Sequence, residues 1–139
     1  MKHVKATGIA ITALALLAAP SLAHFQEILP DTDRFGVESE GLSLSLVFTH
    51  PMDRGPTMEM KRPTRFGALT PAGEVDLLNT LIEAPKDGQM AWQASYEPTE
   101  PGNYIFFVEP VPYWEPAEGK SIIHYSKVIV DAYDWGDGW

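Results

Sequence analysis

Proline limits the fold of this chain more than any other residue. Eleven of its twelve prolines follow residue 23, and they are spread from Pro30 to Pro116. Because an interior proline removes a helical hydrogen bond and clashes with the preceding turn, this spacing leaves no room for a long helix. Only residues 75–84 could hold a short helical turn. The chain must therefore build its core mainly from strands.

Short segments between the prolines have the alternation of half-buried strands. Leu42, Leu44, Leu46 and Phe48 alternate with Ser43, Ser45 and Val47, which predicts one buried face. Turn-forming Pro, Gly and Asp residues separate the segments. Further strands are predicted at residues 25–29, 57–61, 66–69, 75–78, 91–96, 103–109 and 122–130.

Seven or eight short strands in little more than a hundred residues predict an all-β fold, an immunoglobulin-like antiparallel β-sandwich. Its core is expected to include these residues: Leu42, Leu44, Leu46, Phe48, Trp92, Tyr104, Phe106 and Val108.

Residues 1–23 have the three parts of a secretory signal peptide. Lys2 and Lys5 give a positive start, residues 6–19 are apolar or small, and Ser21-Leu22-Ala23 offers small residues at the positions that a peptidase reads. The apolar run is shorter than the about 20 residues of a comfortable membrane span. We therefore predict export, cleavage after Ala23 and no membrane insertion of the released protein. The alternative is an uncleaved anchor.

The signal-peptide pattern and the strand pattern together predict three parts of the chain: a signal peptide at 1–23, a β-sandwich at 24–130 and a linker-like segment at 131–139. The last segment ends on Trp139 with no polar tail, so the chain is either a fragment or folds this segment back onto the sandwich.

Charge and cysteine content exclude several function classes. The formal net charge is −9, and loss of Lys2 and Lys5 makes the mature chain more negative. Such a surface repels nucleic acid and anionic lipid. The chain has no cysteine, which excludes thiolate metal sites, cysteine catalysis and disulfides. It also lacks an interpretable Ser/His/Asp set or a phosphate-binding glycine loop, so we predict that it is not an enzyme.

Three histidines of the mature chain form a candidate metal site. Cleavage after Ala23 makes His24 the first residue, whose α-amino nitrogen and ring Nδ1 can chelate one cation. His50 and His124 are the only other histidines after the cleavage site. Taken singly, each of these histidines is more simply explained by a structural role or by exposure to solvent. The alternation of residues around His124 does not decide which face of the sheet its side chain is on. Glu27 and Asp53 are weak candidates for supporting ligands.

Five short motifs, in this order and spacing, resemble one family of metal-uptake proteins. The motifs are His24-Phe25, Ile28-Leu29-Pro30, Phe48-Thr49-His50-Pro51-Met52, Pro101-Gly102-Asn103-Tyr104 and Ile123-His124-Tyr125-Ser126-Lys127. Together they make the chain similar to the periplasmic nickel- and cobalt-binding component of energy-coupling-factor-type uptake systems.

The resemblance implies a periplasmic, immunoglobulin-like domain that binds a nickel or cobalt ion and supplies it to membrane-embedded transporter components. By position, His24, His50 and His124 would be its metal ligands. Members are often longer, with a second β domain after a stretch like 131–139. The resemblance implies no particular oligomeric state.

Two alternatives stay open. An N-terminal histidine with a second histidine is also the brace of copper proteins, and Met52, Met58 and Met60 would suit Cu(I). Alternatively, the chain is an interaction module without metal, in which exposed tryptophans make the contacts: Trp114, Trp135 and Trp139.

Overall fold

A computed structural model describes residues 24–53, 55–116 and 118–133. The predicted signal peptide, residues 134–139 with Trp135 and Trp139, and the side chain of Asp53 lie outside this description. Within the described residues, no helix is long and apolar enough to cross a membrane.

The described chain forms eleven short strands. In chain order they are β1 (Phe25–Pro30), β2 (Arg34–Phe35), β3 (Leu42–Thr49), β4 (Arg65–Thr70), β5 (Gly73–Asp76), β6 (Ile82–Glu83), β7 (Trp92–Tyr96), β8 (Gly102–Glu109), β9 (Tyr113–Glu115), β10 (Lys120–Ile122) and β11 (Ser126–Ala132). Two 3-10 turns, at Pro51–Asp53 and Leu78–Thr80, interrupt them. The second turn lies within the segment where a short helical turn was predicted.

The strands make two main sheets and one hairpin. One sheet has the order β1-β3-β7-β6, and the other has the order β2-β11-β8-β4-β5. Pairing is antiparallel except between β2 and β11. The two sheets also meet at one margin, where the Ser126 hydroxyl donates a hydrogen bond to the Gln26 carbonyl. The predicted antiparallel all-β sandwich is confirmed.

Alternation along β3 and β8 builds the core between the sheets. Every second residue of β8 from Gly102 to Val108 is buried, as are Leu42, Leu44 and Leu46 in β3. All eight predicted core residues are buried. Since burial of apolar side chains is the dominant favourable term in folding, this core supplies the main stabilisation in a chain without disulfides.

Two predicted strands differ from the structure. The segment 57–61 is no strand, because Met58 N donates to Phe48 O while Met60 N donates to Met90 O. The backbone of this segment thus bonds to two different neighbouring segments, and Pro56 before it and Pro63 after it cannot donate backbone hydrogen bonds. The predicted strand 122–130 is split into β10 and β11 by a link that contains His124.

Two tyrosine hydroxyls fasten one end of the sandwich, which we call the tyrosine end. Tyr104 donates to Glu100 O at 3.0 Å and accepts from Glu100 N at 3.1 Å. Tyr133 donates to Pro98 O at 2.7 Å. A tyrosine at the start of a core strand that bonds to backbone just upstream is the tyrosine corner of immunoglobulin-like sandwiches.

Candidate metal centre

Strand register brings the first two histidines together. β1 and β3 are antiparallel, and Phe25 lies opposite Thr49. His24 precedes β1 and His50 follows β3, so the two residues occupy the next position of the same pairing. Their ring centroids are 3.8 Å apart, with an angle of 49° between the planes. The contact therefore follows from sheet geometry rather than from a flexible loop.

His124 reaches the same end of the sandwich from the other sheet. It lies in the link between β10 and β11, where alternation continues from β11: Ile123 and Tyr125 are exposed, and His124 is half-buried. Its ring stacks on Phe25 at 5.0 Å and meets Tyr113 edge-on at 5.8 Å. The structure thus decides the orientation that the sequence left open, and it turns His124 inward.

The hairpin β9–β10 covers these histidines. Tyr113 and Glu115 are two residues apart on one face of β9, while Trp114 between them is exposed. The Tyr113 ring lies 5.9 Å from the His24 ring and 4.8 Å from Phe48. Gly119 closes the turn with φ of 62°, a left-handed conformation that glycine adopts without strain, and its N–H donates to Glu115 O. We call this cluster of His24, His50, His124, Tyr113 and Glu115 the histidine end.

Glu115 is the carboxylate of the histidine end. It is 8% exposed, and its Oε2 lies 2.9 Å from His24 Nδ1. The two atoms form an ion pair when His24 is protonated, yet His24 Nδ1 has no hydrogen-bond partner of acceptable geometry, and neither does His124 Nδ1. Both nitrogens are shielded from solvent. Two buried imidazole nitrogens among the described residues are therefore left without a hydrogen bond.

Burial and nearby carboxylates both favour the neutral phenol form of Tyr113 in the metal-free protein. Burial raises the pKa of the Tyr113 hydroxyl, and the negative charges of Glu115 and Glu118 raise it further. Tyr113 contributes its aromatic ring to the wall of the cluster, against His24 and His124.

A tight loop fixes the backbone at His50. Gly55 N donates to His50 O at 3.0 Å, and the Thr49 hydroxyl donates to Gly55 O at 3.2 Å. A Cβ on Gly55 would stand 2.7 Å from the His50 Cβ, closer than real side chains approach. The loop thus depends on glycine at this position to place the His50 side chain.

The predicted site residues are brought to one end of the molecule, but they are not a finished metal centre. Among the described residues, no three His, Asp or Glu side chains converge closely enough to hold one ion. His24 contacts His50 directly, whereas His124 joins the cluster through Phe25 and Tyr113. In the uncleaved chain the nitrogen of His24 is an amide, so the amine of the expected chelate exists only after processing.

The other predicted candidates are placed elsewhere or remain secondary. Glu27 lies on β1 opposite Val47, where burial raises the pKa of its carboxyl, and it forms no ion pair within the described part of the chain. Of the three methionines, Met60 is 1% exposed in the core, Met58 pairs with Phe48, and Met52 is 85% exposed. Trp114 is exposed, as the interaction-module alternative expects.

Sequence reasoning missed Glu115 and Tyr113. Their signal was present: Tyr113-Trp114-Glu115 alternates before a Pro- and Gly-bearing turn, the pattern of a short hairpin. No spacing rule, however, could place that hairpin over His24.

Comparison with known proteins gives one match. The family described as Domain of unknown function (DUF4198) matches residues 21–139. No curated protein and no solved structure matches the chain.

Proposed function

This chain belongs to the DUF4198 family, and we propose that it is a periplasmic metal-binding protein. It would bind a divalent nickel or cobalt ion after export, through His24, His50 and His124. It would then deliver the ion to membrane-embedded transporter components. The protein would be a carrier and not an enzyme.

The observation that carries this proposal is the pair of buried imidazole nitrogens, Nδ1 of His24 and Nδ1 of His124, without hydrogen bonds. A buried polar atom left unsatisfied costs about 1–3 kcal/mol. A folded domain keeps such atoms where they serve another purpose, and a neutral imidazole nitrogen is a good ligand for late first-row metals. A bound ion would accept the lone pair of His24 Nδ1, and that of His124 Nδ1 once the His124 side chain moves to join it.

Processing would complete the donor set. Removal of residues 1–23 turns the His24 amide into an amine, which closes a six-membered chelate with Nδ1 of the same residue. This is the nitrogen that already lies buried at the histidine end, beside the His50 ring. Cleavage and folding would thus supply amine and imidazole at one point.

The delivery role rests on the resemblance of the five motifs to nickel and cobalt uptake components. The exposed apolar side chains that border the histidine end support it. Trp114 is 61% exposed next to Tyr113 and Glu115, and Ile123 and Tyr125 are exposed on either side of His124. A partner that receives the ion would find apolar contacts next to the ligands.

The test is to titrate nickel and cobalt into two forms of the protein: the mature chain that begins at His24, and the same chain with one alanine before His24. The added residue replaces the amine by an amide, which does not coordinate, so affinity should fall at least tenfold. The control carries the alanine after Trp139 and should bind like the mature chain. Equal affinities in all three forms would remove the terminal amine from the site.

Copper is the second candidate, because the His24–His50 contact is the pair that a copper brace would need. Copper outcompetes nickel at most nitrogen sites in vitro, so relative affinity alone does not decide. The deciding measurement is the metal content of protein recovered from the periplasm of cells grown with all three metals. Protein recovered without any metal would favour the interaction module.

A further inference from the structure

Glu115 has no role in the three-histidine site, yet its carboxylate contacts the His24 ring in the histidine end. It is 8% exposed, and the turn bonds from Glu118 N and Gly119 N to Glu115 O hold its backbone. Lys120, the residue opposite it in the hairpin, forms an ion pair with Glu118 at 2.7 Å. A carboxylate in so buried a place is stabilised by positive charge, which His24 supplies when it is protonated.

Glu115 and His24 form a short ion pair when His24 is protonated, although the contact does not have the geometry of a hydrogen bond. Oε2 and Nδ1 are 2.9 Å apart, while Nδ1 lacks a hydrogen-bond partner of acceptable geometry. Two donors that each lie about 2.0–2.1 Å from one ion, at right angles, are about 2.9 Å apart. The observed separation is that of an ordinary ion-pair contact, and it would also let both atoms reach one ion.

The chemistry of the N-terminal chelate leads to the same place. Only Nδ1 of His24 can close a ring with the α-amine, so the ion must lie within bonding distance of Nδ1. Once bound to metal, Nδ1 carries no proton that Glu115 could accept. Oε2 then lies within reach of the ion, in the position in which the hairpin holds it.

We propose that Glu115 is a direct carboxylate ligand of the ion that His24 chelates. This inference rests on the proposed metal-binding function and gives its site a mixed nitrogen and oxygen ligand set. An anionic oxygen donor suits the divalent ions of nickel and cobalt and disfavours Cu(I), which prefers softer ligands. Glu115 would thus set the class of metal that the site accepts.

The experiment compares the mature chain with Glu115→Gln, which keeps the side-chain shape but removes the anionic donor. Glu118→Gln is the matched control, since its carboxylate lies in the same hairpin but pairs with Lys120. Nickel and cobalt affinity should fall at least tenfold in Glu115→Gln, as loss of a neighbouring group already costs about 10- to 100-fold at metal sites. The visible spectrum of bound Co²⁺ should change in Glu115→Gln alone.

A second measurement needs no variant. Infrared difference spectra of the parent, with metal minus without, should show the carboxylate stretches of a newly coordinated glutamate. Equal affinity and an unchanged cobalt spectrum in Glu115→Gln, or no carboxylate signal in the parent, would overturn the proposal while leaving the histidine site intact. A parent that binds neither nickel nor cobalt would overturn both this proposal and the proposed function.

Discussion

The two ends of the sandwich treat buried polar atoms in opposite ways. At the tyrosine end, the Tyr104 hydroxyl both donates to and accepts from the Glu100 backbone, and Tyr133 donates to Pro98 O. At the histidine end, Nδ1 of His24 and Nδ1 of His124 are buried without hydrogen bonds. Both ends are rich in aromatic rings, so the two ends do not differ in the kind of side chain that packs there. They differ in whether the buried polar atoms have hydrogen bonds.

The difference indicates what each end is for. A buried polar group with its partners in place stabilises the fold, whereas one without them raises the free energy of the folded state unless something else binds it. The tyrosine end therefore stabilises the fold, and under the proposed function the metal ion would supply the interactions that the histidine end lacks. Three sets of variants test this contrast, ordered by their expected effect on metal affinity.

Loss of a histidine ligand should have the largest effect. His50→Ala, His124→Ala and His124→Phe should each lower nickel affinity at least 100-fold, and the double variant His50→Ala/His124→Ala should be scarcely weaker than the single ones, because ligands of one ion are not additive. The measurement is the rise in melting temperature on adding nickel. Nickel should raise the melting temperature of the parent, because it binds only the folded state, and this rise should be absent in the variants.

The apo proteins provide the control. His124→Phe keeps the ring that stacks on Phe25 and removes the unsatisfied nitrogen, so its metal-free stability should equal or exceed that of the parent. If His124→Phe instead unfolds, His124 is a core residue. The site would then reduce to a brace of His24 and His50.

Gly55→Ala should have an intermediate effect without removing any donor atom. The new Cβ would stand 2.7 Å from the His50 Cβ, so the loop or the imidazole must shift. Overpacking of this kind costs about 1–3 kcal/mol, and we expect nickel affinity to fall about five- to tenfold. Gly36→Ala is the matched control, since nothing lies within 4 Å of its added Cβ. Unchanged affinity in Gly55→Ala would show that His50 does not need its present position.

Tyr104→Phe should leave metal affinity unchanged and destabilise the fold. Two hydrogen bonds to the Glu100 backbone are lost from a side chain that is buried in the core, which should lower the free energy of unfolding by about 1–2 kcal/mol. Chemical denaturation measures this loss, and Tyr125→Phe, whose side chain is exposed, should show none. A threefold or larger change in nickel affinity would mean that the two ends are coupled.

Sequence patterns predicted correctly those strands of the sandwich that have one buried and one exposed face. Alternation identified β3 and β8 with their core residues, because period-two burial is a local property of a half-buried strand. Alternation wrongly predicted a strand at residues 57–61, where the backbone bonds to two different neighbouring segments. It also missed the short strands β2, β6 and β9, which depend on pairing with a neighbouring strand. Strands of two or three residues are too short to show an alternating pattern of apolar and polar side chains.

The sequence by itself determined the fold class, the core and the histidines to consider, because proline spacing, alternation and the count of histidines are all readable along the chain. Only the tertiary structure decided that His24 and His50 meet through the register of β1 with β3, that His124 turns inward, and that Glu115 lies 2.9 Å from His24. The reason is physical: a site is made of residues distant in sequence, and which of them meet is set by strand pairing and packing across the whole molecule.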